Sequence, residues 1–391
     1  MSEDATGTPA PDHFRYFPEL DGIRALAVVA VVAFHAGLPF SEGGFLGVDL
    51  FFVLSGYLIT SLLIREHRLT GRISIRNFYI RRALRLLPAL LVVLVACGAY
   101  RVFAGGVLGR NTMLGVGTSL TYLSNWVLAT GRHDIGLLSH TWSLSIEEQF
   151  YLVAGPMLAF LLARRFGLRA LMVAFLSGVA LVAVTRFARW EGPASLVRLY
   201  YGSDSRADAL LIGCALAAAG AAGLVPGRRW LRTLTQVLSL SALAWLVILV
   251  TRAPGLTAFF FRGGFTLVAL LTAVVIYQLV YAPMSILSRI LRAPPLVLLG
   301  RMSYGVYLWH YVVFRALFPV VGLPGPGMDS PARTSVGLVL TFVIATASYL
   351  VVEQPILRLN SRFRSVGAAA GRPVRSKAGR PPSGARASQH V

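Results

Sequence analysis

The sequence predicts an all-α, polytopic integral membrane protein, a bundle of about ten transmembrane helices around a central polar cavity. Apolar runs recur almost from end to end of the 391 residues, of which 56% are hydrophobic and only 14% charged. Runs of about 20 apolar residues suffice to cross a hydrocarbon core of roughly 30 Å. Polar residues interrupt several runs, and such groups normally face a shared interior.

The predicted spans divide the chain into an N-terminal tail at 1–19, a membrane domain at 20–353 and a basic, disordered tail at 354–391. The weakly apolar run 112–129 is interpreted as a partial or re-entrant helix. The first tail has no basic segment typical of a cleaved signal peptide, so the first span is expected to be retained. The ten spans lie near 20–38, 46–64, 86–104, 142–163, 168–186, 207–224, 233–251, 265–281, 303–320 and 333–352.

Arginine is distributed unevenly between the loops, which predicts the orientation of the chain. A net charge of +21 would suggest a nucleic-acid partner in a soluble protein, but here the arginines cluster between spans, so none is expected. Basic loops favour the cytoplasmic side. Both termini are therefore predicted in the cytoplasm of a multi-pass plasma-membrane protein, with 105–141 and 186–206 outside and these basic loops inside: 65–85, 164–169, 228–232 and 289–301.

The first span carries two ionisable residues, Arg24 and His35, eleven positions apart. Eleven residues make about three turns, so both side chains share one helix face roughly 16 Å apart along the axis. Arg24 could simply anchor the helix end while His35 reaches the far interface. Buried ionisable groups are nevertheless functional candidates, and histidine is a candidate general base.

The second and third spans supply candidate ligand-binding groups near their first turns. Asp49 could orient a catalytic group, pair with an arginine or cap the helix, and Ser55 follows it. Arg82 and Arg85 are three apart and share a face. Guanidinium groups bind phosphate in forked geometry, although basic residues also flank spans for topological reasons.

The stretch 140–156 is the most polar part of any span. Adjacent Glu147 and Glu148 cannot share a helix face, so only one is expected to point into the bundle. A capping box would explain part of this pattern. It does not explain why Trp142, Gln149 and Tyr151 crowd the same turns.

Two later segments and the cysteines complete the candidates. Asp204, Arg206 and Asp208 are interpreted as an ion-paired helix start. His310 lies mid-span beside Tyr304, and a single histidine there is often only a hydrogen-bonded structural residue. Cys97 and Cys214 both lie in apolar runs and give no disulfide or zinc pattern, so no metal site is predicted.

Taken in order, these segments resemble the membrane acyltransferase-3 family, ten-span bacterial enzymes that O-acylate sugars. The resemblance covers about residues 17–357. LDGIRALAVVAVVAFH matches an arginine-ten-residues-histidine motif, and FLGVDLFFVLSGYLIT matches the segment that follows. RRALRLLPA carries the family's R-x-x-R motif, and TWSLSIEEQFY places Glu147 at its glutamate position. SYGVYLWH and VVEQP match the last two landmarks.

The resemblance implies transfer of an acetyl or other short acyl group from cytoplasmic acyl-CoA to a hydroxyl of a carbohydrate or glycosylated metabolite. Acyl-CoA, acetyl-CoA above all, would be a donor co-substrate, with no permanently bound cofactor. Acceptors in the family include cell-wall glycans, capsular exopolysaccharides and macrolides. Many members add an extracytoplasmic SGNH domain. The sequence here ends in a basic tail, so a stand-alone form is expected. Either a separate extracytoplasmic transferase then completes transfer, or the membrane domain acylates the final acceptor itself.

The resemblance also implies residue roles. His35 would be the general base, with its imidazole oriented by Glu147. Arg24 would bind polar groups of the donor or stabilise the oxyanion. Arg82 and Arg85 would bind the donor phosphates. Substrate-binding or supporting roles are expected for Asp49, Ser55, Trp142, Tyr304 and His310.

The alternative is a transporter or carrier with a proton relay through Arg24, His35 and Glu147 and no acyl transfer. Inverted repeats are typical of carriers, and the sequence has no visible internal repeat. Release of thiol from acyl-CoA would distinguish an enzyme from a carrier or from an inactive scaffold.

Overall fold

The computed structural model describes residues 16–104, 106–225, 228–317 and 331–359. Within these ranges the chain is helical and has no β-strand, which confirms the predicted all-α class. Short 3₁₀ helices at Gly44–Leu46 and Gly136–Thr141 and π-helical turns at Phe260–Gly264 and Tyr349–Glu353 adjoin the α-helices. The α-helices are α1 Pro18–His35, α2 Gly47–Thr70, α3 Ile75–Ala104, α4 Gly106–Leu120, α5 Ser124–Ala129, α6 Trp142–Ala163, α7 Leu168–Ala188, α8 Pro193–Tyr201, α9 Ser203–Ala221, α10 Arg229–Arg252, α11 Phe265–Tyr281, α12 Ser285–Leu291, α13 Pro294–Leu317, α14 Pro331–Ser348 and α15 Gln354–Leu359.

Each of the ten predicted spans falls on one long helix. Among the described residues, seven helical segments are long and apolar enough to cross a membrane, namely those of α2, α3, α6, α7, α10, α11 and α14. The remaining long helices, α1, α9 and α13, carry charged or polar aromatic residues among their apolar ones. The protein is therefore a multi-pass membrane protein, and the count of ten spans stays a prediction.

Three boundaries differ from the prediction or refine it. Helix α1 begins at Pro18, inside the predicted tail, because proline suits the first turn of a helix. Helix α15 occupies 354–359, so the prediction of a disordered tail is wrong for these residues, whereas 1–15 and 360–391 lie outside the described residues. The run 112–129 is broken between α4 and α5, where Tyr122 has a φ of 54°.

Small residues allow the central helices to pack backbone to backbone. Helix α9 packs between α2 and α7, and α1 packs along α13. A Cβ on Gly56 would overlap the Leu210 carbonyl, and one on Gly213 would overlap the Val53 carbonyl. Close approach through small residues is a common mode of helix association in membranes. It fixes α2 against α9 and so positions the residues that α2 contributes to the site.

Candidate active site

A cavity with about 780 Å³ of empty space, including its open mouth, lies among α1, α2, α3, α6 and α13. Six of the ten sequence-predicted site residues line it: Arg24, Ser55, Arg82, Arg85, Glu147 and Tyr304. Unpredicted polar groups from α6 and α13 complete the wall: Ser143, Tyr151, Ser303 and Tyr307. Positions far apart in the chain thus meet around one space.

The charged lining of this cavity favours an anion. Three guanidinium groups, those of Arg24, Arg82 and Arg85, face a single lining carboxylate, Glu147, so the ionised wall carries three positive charges and one negative. Within the described ranges, no hydrogen bond or salt bridge joins Arg24 or Arg85 to another residue. Both cations are therefore available to a ligand, and guanidinium–phosphate contacts are among the stronger hydrogen bonds in proteins.

Arg82 and Glu147 are held by a common set of neighbours. The Arg82 guanidinium lies 3.5 Å from the centroid of the Tyr151 ring, a cation–π contact, and 3.8 Å from a Glu148 oxygen. The Tyr151 hydroxyl donates to Glu147 at 3.4 Å, and Ser55 Oγ donates to its other oxygen at 3.0 Å. As expected for adjacent residues on a helix, Glu147 lines the cavity and Glu148 does not.

The two predicted histidines lie together beyond the cavity. His310 Nε2 is 3.3 Å from His35 Nδ1, and the ring of a third histidine, His140, has its centroid 5.6 Å from that of His310. His310 is fully buried, His140 is 3% exposed and His35 is half-buried. We refer to His35, His140 and His310 as the histidine cluster. None of the three lines the cavity.

Tyr307 stands between the cavity and the histidine cluster. It lines the cavity, while its ring centroid lies 5.4 Å from that of His310. Its hydroxyl donates to the His140 carbonyl at 2.9 Å and accepts from Ser143 Oγ at 2.7 Å. The two hydrogen bonds fix this side chain as a wall shared by both regions.

Comparison with known proteins assigns the family. The family model for acyltransferase-3, described as an acyltransferase domain, matches residues 17–350. The chain belongs to the acyltransferase-3 family. Peptidoglycan O-acetyltransferase OatA of Listeria monocytogenes is 34% identical to this chain over 356 residues, which is 88% of this chain and 56% of that protein.

Two further relatives match with similar identity and coverage. The putative peptidoglycan O-acetyltransferase YrhL of Bacillus subtilis is 35% identical over 357 residues, 88% of this chain and 55% of that protein. O-acetyltransferase OatA of Staphylococcus aureus is 33% identical over 361 residues, 88% of this chain and 57% of that protein. This chain thus spans little more than half the length of these relatives. No solved structure matches it.

The structure corrects one role that the resemblance implied for a residue of the candidate site. Glu147 was expected to orient the His35 imidazole, but its hydrogen bonds run to Ser55 and Tyr151 instead. His35 Nδ1 lies 3.0 Å from the Val31 carbonyl and next to His310. A histidine and not Glu147 therefore lies next to His35 Nδ1, and Glu147 belongs to the arginine-lined cavity.

Asp49 and Trp142 also lie away from the cavity, in a buried ionic region. Arg206 donates to both Asp49 carboxylate oxygens at 2.9 and 3.0 Å, and both side chains are almost completely buried. The guanidinium of Arg206 stacks 3.6 Å from the Phe265 ring centroid, and the Trp142 ring packs against Tyr200 at 4.8 Å. Of the roles considered for Asp49, the structure shows pairing with an arginine.

The ion-paired start of α9 is confirmed for Asp204, whose carboxylate accepts from Arg189 and Arg198 at 2.9 Å. Burial alone would raise the pKa of Asp204, but hydrogen bonding and charge from Arg198, then charge from Arg189, outweigh it and lower the pKa. Asp208 instead accepts from buried Arg186 at 2.9 Å, and Arg186 also donates to the Ser205 carbonyl. Asp204, Arg206 and Asp208 therefore each pair with residues outside the start of α9.

Sequence reasoning missed His140, Arg186 and the dividing position of Tyr307. His140 directly precedes the TWSLSIEEQF segment, so its place next to a functional motif was the available signal. Arg186 ends an apolar run, where an intramembrane cation could have been recognised. Nothing in the sequence marks Tyr307 apart from the other aromatic residues of its segment.

Proposed function

We propose that this protein is a membrane O-acyltransferase that moves an acetyl or other short acyl group from acyl-CoA to a hydroxyl of a carbohydrate or glycosylated acceptor. The names of its relatives describe O-acetyl transfer, two of them on peptidoglycan. A cell-wall glycan is therefore the first acceptor class to test. The observation that carries the proposal is the arginine-lined cavity, with Arg24, Arg82 and Arg85 around one space.

The cavity suits the donor in charge. Coenzyme A carries several phosphate charges, and Arg82 and Arg85 share a helix face from which both line the cavity. Arg24, Arg82 and Arg85 lie in the first halves of α1 and α3, two helices predicted to begin on the cytoplasmic side, where acyl-CoA is available.

The reaction we propose joins this cavity to the histidine cluster. His35 takes the proton of the acceptor hydroxyl as that oxygen bonds to the acyl carbon. The carbon–sulfur bond then breaks, and the leaving thiolate becomes a thiol as His35 returns the proton through solvent, which regenerates the neutral base. Because Arg24 lines the cavity whereas His35 lies beyond Tyr307, we assign Arg24 to polar groups of the donor. The acyl group must pass the Tyr307 side chain to meet the acceptor.

The test uses purified protein in lipid nanodiscs with acetyl-CoA and a peptidoglycan oligosaccharide. We expect acceptor-dependent thiol release and an acetylated product detected by mass spectrometry. His35→Ala should lower the rate by about 10²–10⁴-fold, the usual cost of losing a general base. Exposed His133 lies outside the cavity and the cluster, so His133→Ala is the matched control.

Two results would count against the proposal. Absence of thiol release with every acceptor would leave the carrier alternative standing. Retention of more than a small fraction of activity in His35→Ala would remove that residue as the base while leaving the transfer reaction itself in place.

A further inference from the structure

The contacts of His310 and His35 determine which ring nitrogen carries hydrogen in each. His310 Nδ1 lies 2.6 Å from the Tyr307 carbonyl, and since a carbonyl only accepts, this nitrogen must carry hydrogen. Neutral His310 then has a lone pair on Nε2. That atom is 3.3 Å from His35 Nδ1, so the hydrogen between them belongs to His35. The Val31 carbonyl, 3.0 Å from the same nitrogen, requires the same assignment.

This assignment leaves two ring nitrogens of the pair without a hydrogen: His310 Nε2, which accepts from His35, and His35 Nε2, which has no hydrogen bond to any described residue. Among the described residues, neither His35 nor His310 forms a hydrogen bond with a carboxylate. The titratable groups around His35 are His310 and Tyr311 from α13, with ring centroids at 5.0 and 5.2 Å. His140 adjoins His310, with ring centroids 5.6 Å apart.

We propose that His310 is the positioning residue of the acyl transfer, holding the His35 ring so that Nε2 is free to receive the acceptor proton. This inference rests on the proposed function. When His35 takes that proton its ring becomes positive, and the hydrogen on Nδ1 remains directed at His310 Nε2. An acceptor for that hydrogen stabilises the charged ring. A neutral imidazole therefore does here what a carboxylate does in many catalytic histidine pairs.

Three substitutions separate positioning from mere packing. His310→Gln places an amide oxygen near the former Nε2 and keeps an acceptor for His35. His310→Asn ends about one bond length short of it, and His310→Leu fills similar volume without an acceptor. We expect Gln to retain most of kcat, and Asn and Leu to lose about 10- to 100-fold, as for other residues that orient a functional histidine.

The Michaelis constant provides a second kinetic readout. The KM for acyl-CoA should stay unchanged in all three variants, because Tyr307 separates His310 from the donor cavity. His133→Leu, in an exposed loop position, should alter neither constant. Equal loss of kcat in the Gln and Leu variants, with each correctly folded, would overturn the proposal.

A measurement without substrate tests the pair independently of turnover. In ¹⁵N-histidine-labelled protein in nanodiscs, His35 and His310 should both appear as Nδ1–H tautomers with a nitrogen–nitrogen coupling across their hydrogen bond. An Nε2–H tautomer of His35 would overturn the inference, because His310 could then accept nothing from it. Absence of acetyl transfer by the wild type would instead defeat the proposed function, while the spectrum still decides whether the pair exists.

Discussion

Replacing Arg85 by Ala is expected to weaken donor binding without destabilising the fold. The side chain is exposed in the cavity wall and forms no hydrogen bond or salt bridge with another described residue, so its removal breaks no such contact and only takes away a charge that acts at longer range on buried Glu353. One hydrogen bond to a charged partner contributes about 1.5–3 kcal/mol. Since about 1.4 kcal/mol is a factor of ten in Kd, the affinity for coenzyme A should fall roughly 10- to 150-fold.

Arg82 should behave differently because the protein uses its guanidinium as well. It stacks on Tyr151 at 3.5 Å and lies 3.8 Å from Glu148, so Arg82→Ala should lower both affinity and thermal stability. A lysine restores the charge but not the planar stack or the forked contact with phosphate. Arg82→Lys should therefore recover only part of the lost affinity.

The assay is a titration of nanodisc-embedded protein with coenzyme A at fixed ionic strength, combined with thermal unfolding of each variant. Arg229→Ala, at the exposed start of α10 and away from the cavity, is the matched loss of one positive charge. If coenzyme A binds Arg82→Ala, Arg85→Ala and this control equally well, the two arginines serve topology and the donor site lies elsewhere.

Three further outcomes are expected. Arg206→Ala leaves the Asp49 carboxylate buried and unpaired, which typically costs about 3–5 kcal/mol; a normal unfolding midpoint, or no recovery when Asp49→Leu is added, would contradict the pairing. The partners of Asp204 lower its pKa, so the carboxylate should stabilise the fold above its unfolded pKa of about 3.9. The stability advantage of the wild type over Asp204→Asn should vanish as the pH falls through the folded pKa of Asp204. An advantage that persists in acid would exclude this contribution of the Asp204 carboxylate. With the native cysteines replaced, Thr70→Cys should be protected from an impermeant thiol reagent in intact cells and Ala194→Cys should react, and the reverse pattern would overturn the orientation.

The helices of this protein follow from hydrophobicity, since an apolar run in a bilayer must satisfy its backbone polar groups internally. Hydrophobicity predicts the ends of these helices less well. Helix α13 begins at Pro294, nine residues before the predicted span, because its first turns carry prolines and polar residues that lower apolarity without preventing a helix. The weak apolarity of 112–129 predicted a partial or re-entrant helix, but it did not reveal the break near Tyr122.

The candidate site was predictable where the motif residues lie at similar depths in neighbouring helices, as Arg24, Arg82 and Glu147 do. Which helices adjoin was not predictable from one sequence. His35 and His310 are separated by 275 positions, and no local pattern reveals that α1 packs along α13. Assigning Glu147 to His35 failed for this reason: the sequence suggested suitable chemistry without showing which side chains meet.

The buried pairs of α9 have a consequence for biogenesis. Asp49 is synthesised 157 residues before the arginine that neutralises it, and α9 carries Arg206 and Asp208 in its first two turns. A charged residue in a lone inserting helix costs most at the helix centre, about 2.5–3.5 kcal/mol, and less near an end, so the charges of α9 still disfavour its insertion alone. Proximity of α2 and α7 lowers this cost, because their Asp49 and Arg186 supply the counter-charges. Insertion of the middle of this chain is therefore a joint event among helices made at different times.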